Sequence, residues 1–103
     1  MRVVYHRAAL AELEAFAEQY FGYSPGTGER FLAEVTSSLM RCASHPESSP
    51  VFYRKLRKVS LTHFSLLLLY QFAGDVLTVA AIVDARRDPD AIRGVLDARL
   101  EHE

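Results

Sequence analysis

Four of the six residues Tyr53-Arg54-Lys55-Leu56-Arg57-Lys58 are basic, and Arg86-Arg87 form a second basic pair further along the chain. Cations clustered in this way meet phosphate groups or an acidic partner, and two clusters brought to one rim of a sheet would make a single site. The plainer reading is an edge strand kept soluble by its charges. Cleavage of RNA without a metal requires a group to take the 2′-hydroxyl proton, another to protonate the leaving oxygen, and cations to hold the phosphate. The residues of suitable type are His63, Tyr53, Tyr70, Arg57 and Arg86. His63 beside Phe64 reads equally as a half-buried packing residue in a strand, and Tyr70 as a core residue whose hydroxyl reaches a polar partner.

Other chemistries find less support. Asp84, Asp88 and Asp90 are near enough in sequence to suggest a cation site, but Asp88 ahead of Pro89 is accounted for as a helix cap. The histidines, at 6, 45, 63 and 102, fall at no zinc-ligand spacing, and Cys42 alone cannot close an intramolecular disulfide. Gly22 to Gly28 lacks the Lys-Ser/Thr ending of a phosphate loop, and no Gly-x-Ser-x-Gly, CxxC or His-Glu-x-x-His motif occurs. Neither a metal nor a cofactor is expected.

Twelve Lys plus Arg against thirteen Asp plus Glu leave a formal net charge of -1, so a basic site must be local. A chain of 103 residues, half of them apolar, supports one core, and we expect a single domain over residues 1–103. The longest apolar runs fall far short of the roughly 20 residues that span a bilayer, and the opening Met-Arg-Val-Val-Tyr-His-Arg carries no apolar secretion signal. A cytoplasmic protein without membrane association is expected.

The elements that must position these residues follow from periodicity. Arg2 to His6 is β-branched and aromatic and reads as a first strand. Leu10, Leu13, Phe16, Ala17 and Tyr20 recur at helical steps until a stop near Gly22, and Ser24 and Thr27 are candidate caps for a second helix. Phe31, Val35, Leu39 and Ala43 give that helix an apolar face, so the two form a hairpin that ends at Pro46. Residues 52–59 read as one polar edge strand. Phe64 to Phe72 and Val76 to Val83 read as central strands joined by a turn at Ala73-Gly74-Asp75. Ile92, Val95, Leu96 and Leu100 predict a short C-terminal helix behind Asp88-Pro89. The predicted class is α+β, with the helical hairpin on a mainly antiparallel sheet of about four strands.

Several of these residues match a known family in order and spacing. They are Val4-Tyr5, Ala9 with Glu12-Leu13, Pro25 ahead of Arg30-Phe31 and Val35, Pro46, Arg57, Phe64, Tyr70, and Ala80-Ala81-Ile82-Val83 running into Arg86-Arg87-Asp88-Pro89. Over roughly residues 3 to 90 the chain resembles the RelE/ParE superfamily of type II toxin-antitoxin toxins, also called plasmid stabilisation proteins. The resemblance implies an antitoxin whose C-terminal segment wraps the toxin. It also implies either inhibition of DNA gyrase, as in ParE-like members, or ribosome-dependent cleavage of messenger RNA, as in RelE-like members. The Arg-Arg-Asp-Pro ending is similar to the ParE side. Asp84 stands where many relatives carry histidine, and Ser65-Leu66 where Pro-Tyr is frequent. A carboxylate beside Arg86 and Arg87 partly neutralises them and repels phosphate, which weighs against RNA cleavage.

The leading expectation is a ParE-like toxin that acts by binding, with Arg54, Lys55, Arg57, Lys58, Arg86 and Arg87 engaging gyrase or the antitoxin. The first alternative is a ribonuclease acting on ribosome-bound mRNA through Arg57, Arg86, Lys55 and Arg54. The second is a non-toxic interaction module that kept the fold. A homodimer and a toxin–antitoxin heterotetramer are both open. An exposed edge strand and an apolar groove beside the helices are the expected seats for an antitoxin strand or helix. Arg57→Glu is expected to weaken binding with little loss of stability.

Overall fold

Two amphipathic helices, α1 (Arg7–Tyr23) and α2 (Pro25–Ser44), are separated by one residue, Ser24, which closes the first and caps the second. Its Oγ accepts the Thr27 N–H at 3.0 Å, and Pro25 occupies the first helical position, where no N–H is needed. So short a link makes the helices an antiparallel hairpin. At its closed end the Phe21 ring lies against α2 at Gly28, where an added Cβ would fall 2.3 Å from the ring. In the computed structural model residues 1–101 are described; His102 and Glu103 lie outside the described residues.

The hairpin covers one face of a five-stranded sheet built from β1 (Arg2–Tyr5), β2 (Val51–Tyr53), β3 (Leu56–Leu61), β4 (Leu66–Ala73) and β5 (Val76–Asp84), ordered β1-β5-β4-β3-β2. β1 runs parallel to β5 and every other pairing is antiparallel. β4 and β5 turn at Gly74-Asp75, where Gly74 takes a φ of +57°. Phe31, Val35 and Leu39 of α2 pack with Leu66, Leu68, Tyr70, Val79 and Ile82 on this face. On the other face α3 (Pro89–Leu100) places Ile92 and Leu96 on Leu56, Leu67, Leu69, Ala81 and Val83. The continuous apolar runs of β4 and β5 are thus covered on both sides, as expected of central strands.

Three expectations need correction. The segment predicted as one edge strand is a β2–β3 hairpin, which brings the strand count to five. Tyr53 pairs with Leu56 across the two-residue turn Arg54-Lys55, with Arg54 at a φ of +55°. No Gly, Asn or Asp marks that turn, so the sequence conceals it. β3 is therefore interior along its first half, where Lys58 N–H donates to Pro50 O at 3.1 Å, and β2 forms the edge. Finally, His63 lies in the turn between β3 and β4 rather than in a strand.

A break in register gives β5 its most specific polar contacts. Leu69 pairs with Ala81 and Tyr70 with Val79, so Ala80 is an extra residue and Ala80 and Ala81 both face α3. β1 ends opposite Val79, which leaves the following backbone groups of β5 without a neighbouring strand. Helices from opposite faces supply the partners. Ile82 N–H donates to Glu12 Oε1 of α1 at 3.0 Å, and Ala80 O accepts from Arg99 Nη1 of α3 at 2.9 Å. Glu12 and Arg99 complete the clasp with two bonds of 2.7 and 2.8 Å to each other.

Candidate partner-binding groove

The predicted basic residues do not share one rim. Arg54 and Lys55 sit at the β2–β3 turn, whereas Arg86 and Arg87 follow β5 at the opposite end of the sheet, where Ala85 N–H meets Ser65 O. Arg57 pairs with Tyr70 while Asp84 pairs with Leu66, which places them four residues apart along β4, or about 13 Å at strand spacing.

Most of these cations are already occupied. Arg57, on the hairpin face, donates to Ser49 O at 2.7 Å and Glu47 O at 3.1 Å and lies over the Phe72 ring, so it ties down the loop after α2. Lys58 points to the α3 face, where it and Arg93 flank the Phe52 ring. Arg54 pairs with Asp97 at 3.2 Å. Arg86 folds back on Asp84, donating from its backbone N–H and from Nε and Nη2 at 2.8 to 3.0 Å. These bonds hold the Asp84 carboxyl at a pKa of about 2, well below the usual range. Lys55 and Arg87 pair with no carboxylate among the described residues.

The candidate proton-transfer groups are equally dispersed. Tyr53 OH donates to Asp97 of α3 at 2.9 Å, on one face of the sheet. Tyr70 is buried on the other face, where its OH donates to Pro46 O at 2.9 Å. His63 lies at a turn with its ring Nδ1 3.1 Å from Glu34 Oε2. Asp88 caps α3 and Asp90 pairs with Arg93, so with Asp84 committed to Arg86 each acidic candidate has a local structural partner.

What the fold does assemble is a groove between α2 and the β3–β4 turn, of about 820 Å³. It is lined by the aromatic residues Tyr20, Tyr23 and Phe64, by the small residues Ala33 and Ser37, and by Arg30 and Arg41. Tyr20 packs on Phe31 and Phe64 with ring centroids 4.9 and 4.7 Å apart, and Tyr23 remains 70 % exposed. Glu34 also lines the groove, but its carboxylate is turned to the β3–β4 turn, accepting the His63 backbone N–H at 3.2 Å. Burial pushes the Tyr20 hydroxyl pKa up, with Tyr23 and Asp84 adding to the shift and Arg86 opposing it. Of the residues singled out from sequence, His63 lines this groove, and Arg86 is held by Asp84. Arg30, Arg41, Tyr20 and Tyr23 were not singled out as site residues. Their signal is the stripe Arg30, Glu34, Ser37, Arg41 on one face of α2, and nothing in sequence says that the 62–65 turn faces it.

A family model described as the ParE toxin of type II toxin-antitoxin systems, parDE, matches residues 3–89. This chain belongs to the ParE toxin family. The match ends at Pro89, the first residue of α3, so that helix lies past the matched span. The chain is also similar to a solved structure described as the chromosomal ParDE toxin-antitoxin system from P. aeruginosa. That similarity has a TM-score of 0.57 and 17 % identity, covering 82 % of this chain and 95 % of that one, and it bears out the α+β fold. No curated protein matches the sequence. No helix of the described residues is long and apolar enough to cross a membrane.

Proposed function

We propose that this ParE family member is the toxin of a toxin–antitoxin pair, that it acts in the cytoplasm by binding DNA gyrase, and that a cognate antitoxin neutralises it. The observation that favours binding over RNA cleavage is the dispersal of the catalytic candidates. His63, Tyr53, Tyr70 and Arg57 each serve a separate structural partner, and Arg86 is closed on Asp84. A phosphodiester needs acid, base and cation within hydrogen-bond reach of the same few atoms. Protein recognition needs only an accessible, chemically distinct surface, and the α2 groove is one. On this reading the two basic ends, Arg54 with Lys55 and Arg86 with Arg87, touch different parts of a partner, with Lys58 and Arg57 acting chiefly through the fold.

Induced expression in a sensitive bacterium, with a supercoiling assay on purified gyrase, tests the proposal. Inhibited supercoiling with DNA-damage signalling and filaments is expected. Rapid loss of translation with cut transcripts would instead return the ribonuclease reading through Arg54, Lys55, Arg57 and Arg86. Normal growth despite accumulation of folded protein would reject both and leave a non-toxic binding module. A neighbouring reading frame encoding a small acidic DNA-binding protein is the expected source of the antitoxin.

A further inference from the structure

The side of the helical hairpin turned away from the sheet lies outside the groove and carries the opposite charge. Along α1, Leu10, Glu14, Glu18 and Phe21 recur at steps of three and four residues and are all exposed, while Ala9, Leu13, Phe16 and Tyr20 pack inward. Along α2, Glu29, Leu32, Thr36 and Met40 are exposed at the same steps, while Phe31, Val35, Leu39 and Cys42 are buried. Phe21 lies against Gly28, one turn from Leu32, so exposed apolar side chains run across the seam between the helices. Glu14, Glu18 and Glu29 pair with no cation among the described residues. Glu14 and Glu18 stand about 6 Å apart along the helix axis. Arg7, at the start of α1, shares this face with them.

An apolar seam rimmed by unpaired carboxylates selects its occupant by charge. A second copy meeting this face across a two-fold axis would bring two sets of these carboxylates together. An anionic lipid surface, a nucleic acid and the acidic antitoxin expected above are repelled in the same way. A cationic protein surface is attracted, and an enzyme that holds DNA must carry one, because lysine and arginine bind the phosphate backbone. We propose that the outer face of the hairpin docks on a cationic, DNA-holding surface of gyrase. Glu14, Glu18 and Glu29 meet lysines and arginines there, and Leu10, Phe21 and Leu32 are covered between them. This inference rests on the gyrase-binding reading above and deepens it by naming the surface each partner uses. It sorts the two partners by charge: the hairpin carboxylates face gyrase, and the unpaired Lys55 and Arg87 remain for an acidic antitoxin. Toxin and DNA then compete for one surface, so inhibition needs no catalytic group.

The test uses the full chain and the purified gyrase heterotetramer, with affinity and supercoiling inhibition measured for wild type and for the Glu14→Lys/Glu18→Lys double variant. At least about a tenfold loss of both is expected, together with a weaker dependence of affinity on salt. The circular dichroism spectrum and the affinity for the full-length antitoxin should stay as in wild type, and a short DNA duplex should displace wild type from gyrase. Equal or tighter binding of gyrase by the double variant overturns the proposed surface while leaving the gyrase-binding reading intact. A duplex that leaves the complex undisturbed overturns the assignment to a DNA-holding surface. Parallel losses of antitoxin and gyrase affinity overturn the sorting by charge. Failure of wild type to bind gyrase overturns both the inference and the reading beneath it. Should the double variant not fold, Glu14→Gln/Glu18→Gln gives the same comparison without reversing the charge.

Discussion

Arg99 and Arg41 stand on helices that pack against opposite faces of one sheet, and their surroundings give them opposite roles. The Arg99 side chain is 15 % exposed and makes three bonds, two to Glu12 and one to Ala80 O, in a place where β5 has no neighbouring strand. Arg41 is exposed, bonds a single serine hydroxyl, and faces a groove. An arginine whose donors are consumed by the fold contributes stability and little else. One whose donors face solvent contributes almost nothing to stability and is available to a partner. The same division separates Arg57, which holds the loop after α2, from Lys55 and Arg87.

Mutation sharpens this contrast, and the largest effect is expected at the clasp. Glu12→Ala leaves a partly buried guanidinium without its counter-charge and the Ile82 N–H without an acceptor, and should lower the unfolding free energy by about 3 kcal/mol. Urea denaturation checks this, and a double-mutant cycle with Arg99→Ala should show strong coupling. A variant with the wild-type urea midpoint would remove the clasp from the account. Arg57→Glu comes next: it breaks two bonds to loop carbonyls and a contact over Phe72, for a loss of about 2 kcal/mol. That replaces the expectation, drawn from sequence, that this substitution would be structurally silent.

In the groove, Arg30→Glu and Arg41→Glu should each change stability by no more than about 0.5 kcal/mol by the same urea measurement, because neither breaks an ion pair. A large loss at either position would erase the distinction between the two regions. The smallest global effect is expected at Asp84. Its folded-state pKa, about 2, lies below the unfolded value of about 4, so its bonds to Arg86 stabilise the folded chain above pH 4 and are lost as pH falls through 2. An NMR titration should find this carboxyl still ionised at pH 3, and Asp84→Asn should free the Arg86 side chain with the fold unchanged.

Much of the fold was legible because local chemistry and burial agreed. Ser24-Pro25 and Asp88-Pro89 cap their helices as expected, Gly74 takes the positive φ its turn requires, and the apolar runs of β4 and β5 lie between two layers. The β2–β3 hairpin escaped because Arg54-Lys55 carries no turn residue, and its left-handed Arg54 is held by pairing on either side. The site was less legible still. The sequence shows basic clusters near 54–58 and at 86–87, but not that two interior strands and their opposite ends separate them.

Residue types and their periods by themselves determined the helical hairpin, the central strands and the terminal helix, since each depends on the spacing of apolar positions within one segment. Which arginines are spent and which remain free was decided only by the tertiary structure. Glu12 meets Arg99 from 87 residues away, and the 62–65 turn meets α2 through His63 and Glu34, 29 residues apart. Such contacts depend on strand order and register, and those are fixed when the layers of the core close on one another.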